Sequence, residues 1–270
     1  MIECLVDGSE QLSLPADDRG LAYGDGVFET VLCVEGRAVW WDRHLARLER
    51  GAAVLGIAVP DETAWQHDRE RLLRTAPPRC VLKLILTRGS GGRGYAPPQS
   101  TRPRRIVSRH VAPPNGAVCD GLRLRWCATR WSLQPRLAGL KHLNCLDRVL
   151  ARAELHEADF DEGLMCDVAG QPISAISGNL LVLRQGRWLT PPLDACGVAG
   201  ICRERLLEHG LIEIAPLRRD EVETAGGLVV CNSVRGILPV IRLGERQWPP
   251  NEATRALQHR LAEIEPAFTL

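Results

Sequence analysis

VLKLILTRGSGGRGYAPP, residues Val81–Pro98, decides between two fold classes. Val81–Thr87 reads as a strand, with Leu82, Leu84 and Leu86 on one face and Val81, Lys83, Ile85 and Thr87 on the other. The following Gly89–Gly94, GSGGRG, satisfies G-x-G-x-x-G, and after a strand that spelling invites a dinucleotide-binding βαβ unit. Such a unit needs a helix that begins inside the motif. Here Tyr95-Ala96-Pro97-Pro98 follows, and the two prolines prevent a helix from starting at once. The doubly wound reading falls. The loop is then either a surface glycine loop or a flexible loop beside a pocket, with Arg88 and Arg93 available for an anion.

Working outward, strands are expected at Glu3–Asp7, Gly26–Val34, Arg37–Trp41 and Arg105–Val111. Helices are expected from an N-cap at Asp42 through Leu55, with Leu45, Leu48, Ala52 and Leu55 on one face, and over Glu62–Arg74. The loop APPNGAVCDG, with two prolines and two glycines, marks a domain boundary at 112–121. Beyond it the pattern predicts strands at Leu122–Ala128, Glu162–Asp167, Asn179–Arg184, Trp188–Thr190 and Gly227–Asn232. Helices are expected over Asn144–Glu157, Gly200–His209 and Asn251–Ile264. This order suits an α+β protein of two domains, residues 1–111 and 122–270, better than a single doubly wound sheet.

The 270 residues carry 34 basic and 33 acidic side chains, a net charge of +1, which argues against a polyanion binder. No apolar run reaches the roughly 18 residues of a membrane span. The start, MIECLVDGSE, has neither the basic residues nor the apolar stretch of a signal peptide. A soluble cytoplasmic protein, with no nucleic-acid or membrane partner, is the expectation. The ten cysteines show no C-x-x-C spacing and pair with no histidine motif, so no metal site is expected. They read as small buried hydrophobes of a reducing compartment.

No G-x-S-x-G elbow and no phosphate-loop lysine is present, and the carboxylates are too scattered for a pair to be chosen. The lysines stand out, because the 34 basic residues are 32 arginines and only Lys83 and Lys141. Lys83 must reach water, a pocket or a partner from its strand face, since an unpaired buried charge is costly. Lys141 lies in RLAGLKHLNCLDRVL, ahead of a helix and flanked by leucines. Apolar surroundings lower an amine's pKa and suit it to nucleophilic or Schiff-base work. A capping or ion-pairing lysine is the alternative. Arginine cannot form a Schiff base, so a lysine kept in so arginine-rich a chain fits that chemistry.

Six segments carry a resemblance: DRGLAYGDGVFET (Asp18–Thr30), HLARL (His44–Leu48), RGSGGRGY (Arg88–Tyr95), LAGLKHLN (Leu137–Asn144), GVAGICR (Gly197–Arg203) and CNS (Cys231–Ser233). In this order they resemble the fold-type IV pyridoxal phosphate enzymes, the group of branched-chain and D-amino-acid transaminases and aminodeoxychorismate lyases. RGSGGRGY and GLKHLN are similar to the lyases in particular. The resemblance implies a smaller N-terminal α/β domain and a larger C-terminal pseudo-barrel domain carrying the Schiff-base lysine. It also implies pyridoxal 5'-phosphate as cofactor, a small-molecule substrate and a homodimer.

Position by position, Lys141 matches the lysine that holds the cofactor and shuttles the proton, and Arg47 the arginine on the cofactor phosphate. Ile201 and Cys202 match residues whose backbone N–H groups meet that phosphate, a favourable anion site at a helix start. Asn232 and Ser233 match the phosphate-binding late loop. Lys83, Arg88 and Arg93 are the candidate cations for the two substrate carboxylates. Ser174 stands where the family usually has a glutamate on the pyridine nitrogen. A serine hydroxyl can donate to an unprotonated nitrogen but cannot stabilise a pyridinium. That departure favours a lyase, whose elimination yields an aromatic ring, over a transaminase. A D-amino-acid or branched-chain transaminase, or a weakly active relative, is the alternative.

Overall fold

The computed structural model describes residues 3–10, 13–114, 120–155 and 159–269. The chain divides into two compact units, Met1–Ala112 with Leu140–Asn144, and Pro113–Gly139 with Cys145–Leu270. The expected loop 112–121 lies partly outside the described residues, as do Cys119 and Glu157.

The first unit is a five-stranded antiparallel sheet, in the order β1 (Glu3–Val6), β5 (Arg104–Val111), β4 (Arg79–Thr87), β2 (Gly26–Val34), β3 (Arg37–Ala38). A short helix, α1 (Arg19–Tyr23), precedes β2, and two longer ones, α2 (Trp41–Leu55) and α3 (Glu62–Leu73), lie between β3 and β4. Strand alternation sends Val27, Val31 and Cys33 of β2 and Leu82, Leu84 and Leu86 of β4 to one face. There they form a core with Leu45, Leu48 and Ala52 of α2 and Trp65 and Leu72 of α3. Gly51 lets α2 approach β2, since a Cβ there would sit 3.0 Å from Val27 Cγ1.

Two expectations are corrected at the start of α2. The third strand stops at Ala38 rather than Trp41, and Asp42 is not the cap. Trp40, at φ 52°, precedes the helix without a side-chain capping bond. Asp42 lies in the first turn, where its charge favours the positive helix end.

The second unit is a nine-stranded sheet that closes on itself. Its strands are β6 (Leu122–Trp126), β7 (Glu162–Cys166), β8 (Pro172–Ala175), β9 (Asn179–Arg184), β10 (Arg187–Thr190), β11 (Glu213–Ile214), β12 (Gly227–Asn232), β13 (Gly236–Leu243) and β14 (Arg246–Gln247). The order β9-β12-β13-β6-β7-β8 returns to β9 through the Ser174–Asn179 pair, making a barrel, and β10, β11 and β14 extend it outside the ring. Leu124, Leu164, Leu180, Val182, Val230 and Leu238 belong to its core. The helices here are α4 (Leu146–Ala153), α5 (Ile201–Glu208), α6 (Arg219–Glu223) and α7 (Glu252–Ile264). The helix expected over 144–157 is therefore shorter at its start, where Cys145 serves as the N-cap residue. β8 and β13 were not expected, because β8 has only four residues and β13 contains Pro239, which reads as a strand breaker.

No described helix is long and apolar enough to cross a membrane, and no group of acidic, histidine and cysteine residues among those described could hold a metal ion. The nine described cysteines are free.

Candidate active site

In the first unit, β2 carries functional groups on both faces. Glu29 points toward α2 and is fully buried there with His44 and Arg47. Arg47 Nε donates to Glu29 Oε1 at 2.7 Å and Nη2 to Oε2 at 2.6 Å, while His44 Nδ1 lies 2.6 Å from Oε2. Burial opposes ionisation of Glu29, but the charges and hydrogen bonds of Arg47 and His44 outweigh it and hold its pKa at about 2. Burial lowers the pKa of His44 against the pull of Glu29, and the Arg47 and Lys141 charges add to that effect. His44 Nε2 is buried without a hydrogen-bond partner among the described residues.

Lys141 belongs to this same unit, rather than to the second domain where the sequence reading put it. The reason is main-chain pairing. Phe28 N donates to Lys141 O at 2.9 Å, Leu143 N donates to Gly26 O at 3.0 Å, and Val27 bridges His142. Asn144 Nδ2 adds a bond to Gly24 O. The segment is thus fastened along β2, and Lys141 Nζ stands 4.2 Å from the centroid of the Phe28 ring. Lys83, half-buried on β4, has its Nζ 5.6 Å from the same ring. Two cations beside one aromatic ring form a cation–π cluster that neither lysine's neighbours in sequence revealed.

Arg88 is corrected. It is buried and its three nitrogens are committed: Nε and Nη2 to Asp25 at 2.7 and 3.0 Å, Nη1 to Gly56 O and Nη2 also to Leu55 O. It closes the C-terminal end of α2 and is not available to a substrate. Arg93 is exposed. The glycine loop is held by Arg19, whose Nη1 and Nη2 donate to Gly94 O and Tyr95 O. Gly89, at φ +85°, must be glycine, since a Cβ would come within 2.0 Å of Arg102 O.

In the second unit, the remaining candidates gather at one end of the barrel. β12 ends in Asn232, and β8 pairs Ser174 with Asn179 at the start of β9. Asn179 Nδ2 donates to Val198 O, ahead of α5. Gly200 precedes α5 with no side-chain capping bond, so the first N–H groups of the helix, those of Ile201 and Cys202, receive no capping side chain among the described residues. Both residues are buried. A Cβ on Gly200 would meet Asn179 Oδ1 at 2.1 Å, so the approach is open only to glycine. Hydrogen bonding with the Cys231 thiol and burial push the Cys202 thiol pKa upward, so it stays protonated.

Two candidates in this unit differ from expectation. Asn232 Oδ1 accepts from Val234 N at 3.0 Å and Arg235 N at 2.9 Å, so its side chain shapes the turn that presents Ser233. Ser174 Oγ donates to Ala175 O at 2.9 Å and accepts from Trp131 Nε1 at 3.1 Å. Its single proton is already committed, so it is not poised to donate to a ring nitrogen.

The chain matches the model of the amino-transferase class IV family over residues 26–243 and belongs to that family. The family is pyridoxal-phosphate-dependent and its members adopt the two-domain fold-type IV architecture. The chain is similar to an aminodeoxychorismate lyase from Vibrio harveyi, 31% identical over 268 residues, 95% of this chain and 98% of the relative. It is also similar to the crystal structure of 4-amino-4-deoxychorismate lyase from Pseudomonas aeruginosa, with a TM-score of 0.90 and 43% identity over 97% of this chain and 99% of that one. A bifunctional aminodeoxychorismate lyase / D-amino acid transaminase from Mycobacterium tuberculosis is 39% identical over 113 residues, 40% of this chain and 37% of the relative.

Each unit by itself offers groups that suit the cofactor. An uncapped, buried helix start with a glycine approach suits a phosphate. Arg47 supplies a guanidinium, and Lys141 an amine beside an aromatic ring. The fit is weaker at Ser174, which the resemblance sets toward the ring nitrogen and which offers no carboxylate.

Proposed function

We propose that this chain catalyses the conversion of 4-amino-4-deoxychorismate into 4-aminobenzoate and pyruvate, a step of folate biosynthesis. The observation that carries this reading is the 43% identity to the Pseudomonas aeruginosa lyase over nearly the whole of both chains. Lys141 is the amine that holds the cofactor. Arg47, the N–H groups of Ile201 and Cys202, and Ser233 would hold its phosphate, Asn232 sets the turn that carries Ser233, and Ser174 would stand toward the ring nitrogen. Bound cofactor supplies an electron sink for the substrate carbon that bears the amine.

With the cofactor bound, Lys141 Nζ would be the base that takes the C4 proton of the substrate. The C3–O bond breaks, the enolpyruvyl group leaves and takes a proton at its methylene carbon to become pyruvate, and the ring becomes aromatic. Aromatisation supplies the driving force, which makes a strong pyridinium sink dispensable and is consistent with serine at position 174. Lys83 and Arg93 are the remaining candidate cations for the substrate carboxylates. A homodimer in the cytoplasm is the expected state.

The test is release of fluorescent 4-aminobenzoate from aminodeoxychorismate by the purified holoenzyme. Lys141→Ala should abolish both turnover and the visible absorbance of bound cofactor; retained turnover would sink the assignment. The bifunctional Mycobacterium tuberculosis relative supports a second reading, amino-group exchange between a D-amino acid and a keto acid. Exchange without 4-aminobenzoate release would select it.

A further inference from the structure

On the face of the first sheet that carries Lys83, one polar row runs between rows that are apolar along β2 and β4. Register places Phe28, Ile85 and Ile106 side by side across β2, β4 and β5, and four residues away along each strand it places Leu32, Val81 and His110. Between them run Thr30, Lys83 and Ser108, with Cys4 of β1 at the end of the row. His110 Nε2 lies 2.8 Å from Ser108 Oγ. Lys83 makes no hydrogen bond or ion pair among the described residues, and it borders the Phe28 ring that it shares with Lys141.

A polar row crossing an apolar face has the donor set for an anion attached to a hydrophobic body. The ammonium and two hydroxyls can meet a carboxylate, and the flanking apolar rows can meet a ring. We propose that Lys83, Ser108 and Thr30 form the subsite for the ring carboxylate of the substrate, with His110 as the positioning residue for the Ser108 hydroxyl. This rests on the lyase reading above. In 4-aminobenzoate and its precursor the reacting amine and the ring carboxylate are para to one another. A ligand held by its amine at Lys141 therefore extends its carboxylate away across the Phe28 ring that Lys83 also borders.

The role of His110 follows from its environment. Burial first, then the Lys83 charge, lowers its pKa and keeps the imidazole neutral. A neutral ring with its proton on Nε2 donates to Ser108 Oγ and leaves the hydroxyl proton free for the carboxylate. In an α-amino acid the carboxylate sits one carbon from the amine rather than para to it across a ring, so the subsite should favour the lyase substrate over transaminase substrates.

The experiment compares binding of 4-aminobenzoate with binding of aniline, which lacks the carboxylate, to the holoenzyme. The wild type should bind 4-aminobenzoate at least about tenfold more tightly, the order of one charge-assisted hydrogen bond. Lys83→Met and Ser108→Ala should each shrink that preference while leaving aniline binding unchanged. His110→Leu should weaken 4-aminobenzoate binding alone, but add nothing when combined with Ser108→Ala. Absence of a preference in the wild type, or a preference that survives both Lys83→Met and Ser108→Ala, overturns the subsite. Additive effects of His110→Leu and Ser108→Ala overturn the positioning role. Failure of the lyase reading shows separately, as no 4-aminobenzoate released from aminodeoxychorismate by the wild type.

Discussion

Replacing Glu29 by glutamine should weaken the first unit by an amount that depends on pH in a defined way. Glu29 is buried between Arg47 and His44 and its pKa is held at about 2, from an ordinary value of 4.5. At about 1.4 kcal/mol per unit, that depression corresponds to roughly 3 kcal/mol of stability. The sign follows from the direction. A carboxylate whose folded pKa lies below its unfolded one contributes fully above the unfolded value, and the contribution fades as pH falls toward the folded value. About 2 kcal/mol of it should have gone by pH 3. Removing one partner of a buried ion pair also leaves Arg47 uncompensated, which places the cost at neutral pH at roughly 3–5 kcal/mol. Burial lowers the pKa of His44 below its ordinary 6.5 against the pull of Glu29, and Glu29→Gln removes that pull, so protonation of His44 costs the variant more in acid and partly offsets the change from Glu29. Urea unfolding of wild type and Glu29→Gln at pH 7, 5, 4 and 3, followed by tryptophan fluorescence, gives the difference directly. Trp41 and Trp65, both buried in this unit, report on it. A difference that stays constant with pH, or a variant more stable than the wild type at pH 7, would refute the reasoning.

Two further outcomes separate structural from functional roles. Arg88→Ala should lower stability by about 3 kcal/mol, because Asp25 loses one of its two arginines and the end of α2 loses its cap, with little change in KM; a raised KM at an unchanged melting temperature would restore Arg88 to the pocket. Ser174→Ala should cost about 1–2 kcal/mol by stranding the buried Trp131 Nε1–H, and leave kcat within a few-fold; a fall of two orders of magnitude in kcat at unchanged stability would show that the hydroxyl acts on the cofactor after all.

Local pattern was enough for most elements. Continuous β-branched and apolar runs delimit Gly26–Val34, Asn179–Arg184 and Gly227–Asn232, and the structure ends each strand at those residues. The Leu45, Leu48, Ala52 spacing places the buried face of α2, and Asp61 and Asn251 cap α3 and α7 by accepting from Thr63 N and Thr254 N. Where a strand is short or contains proline, as at Pro172–Ala175 and Gly236–Leu243, local pattern fails, because those strands are stabilised by their neighbours in the barrel.

The candidate site divides along the same line. Scarcity of lysine and a leucine-rich surround single out Lys141 from the chain alone, and the prolines after GSGGRG exclude a dinucleotide fold. Those are statements about residue type and local backbone freedom, which a sequence carries directly. The partners of each side chain are not. Arg88 meets an aspartate 63 positions away, Arg105 one 37 away, and Trp131 a serine 43 away. Lys141 joins Phe28 only because main-chain bonds tie residues 141–143 to β2. Whether a charge is spent on a neighbour or left for a ligand depends on such long-range pairings. Tertiary structure alone therefore decided that Arg88 is committed, that the proton of Ser174 is taken, and that Lys83 shares an aromatic ring with Lys141.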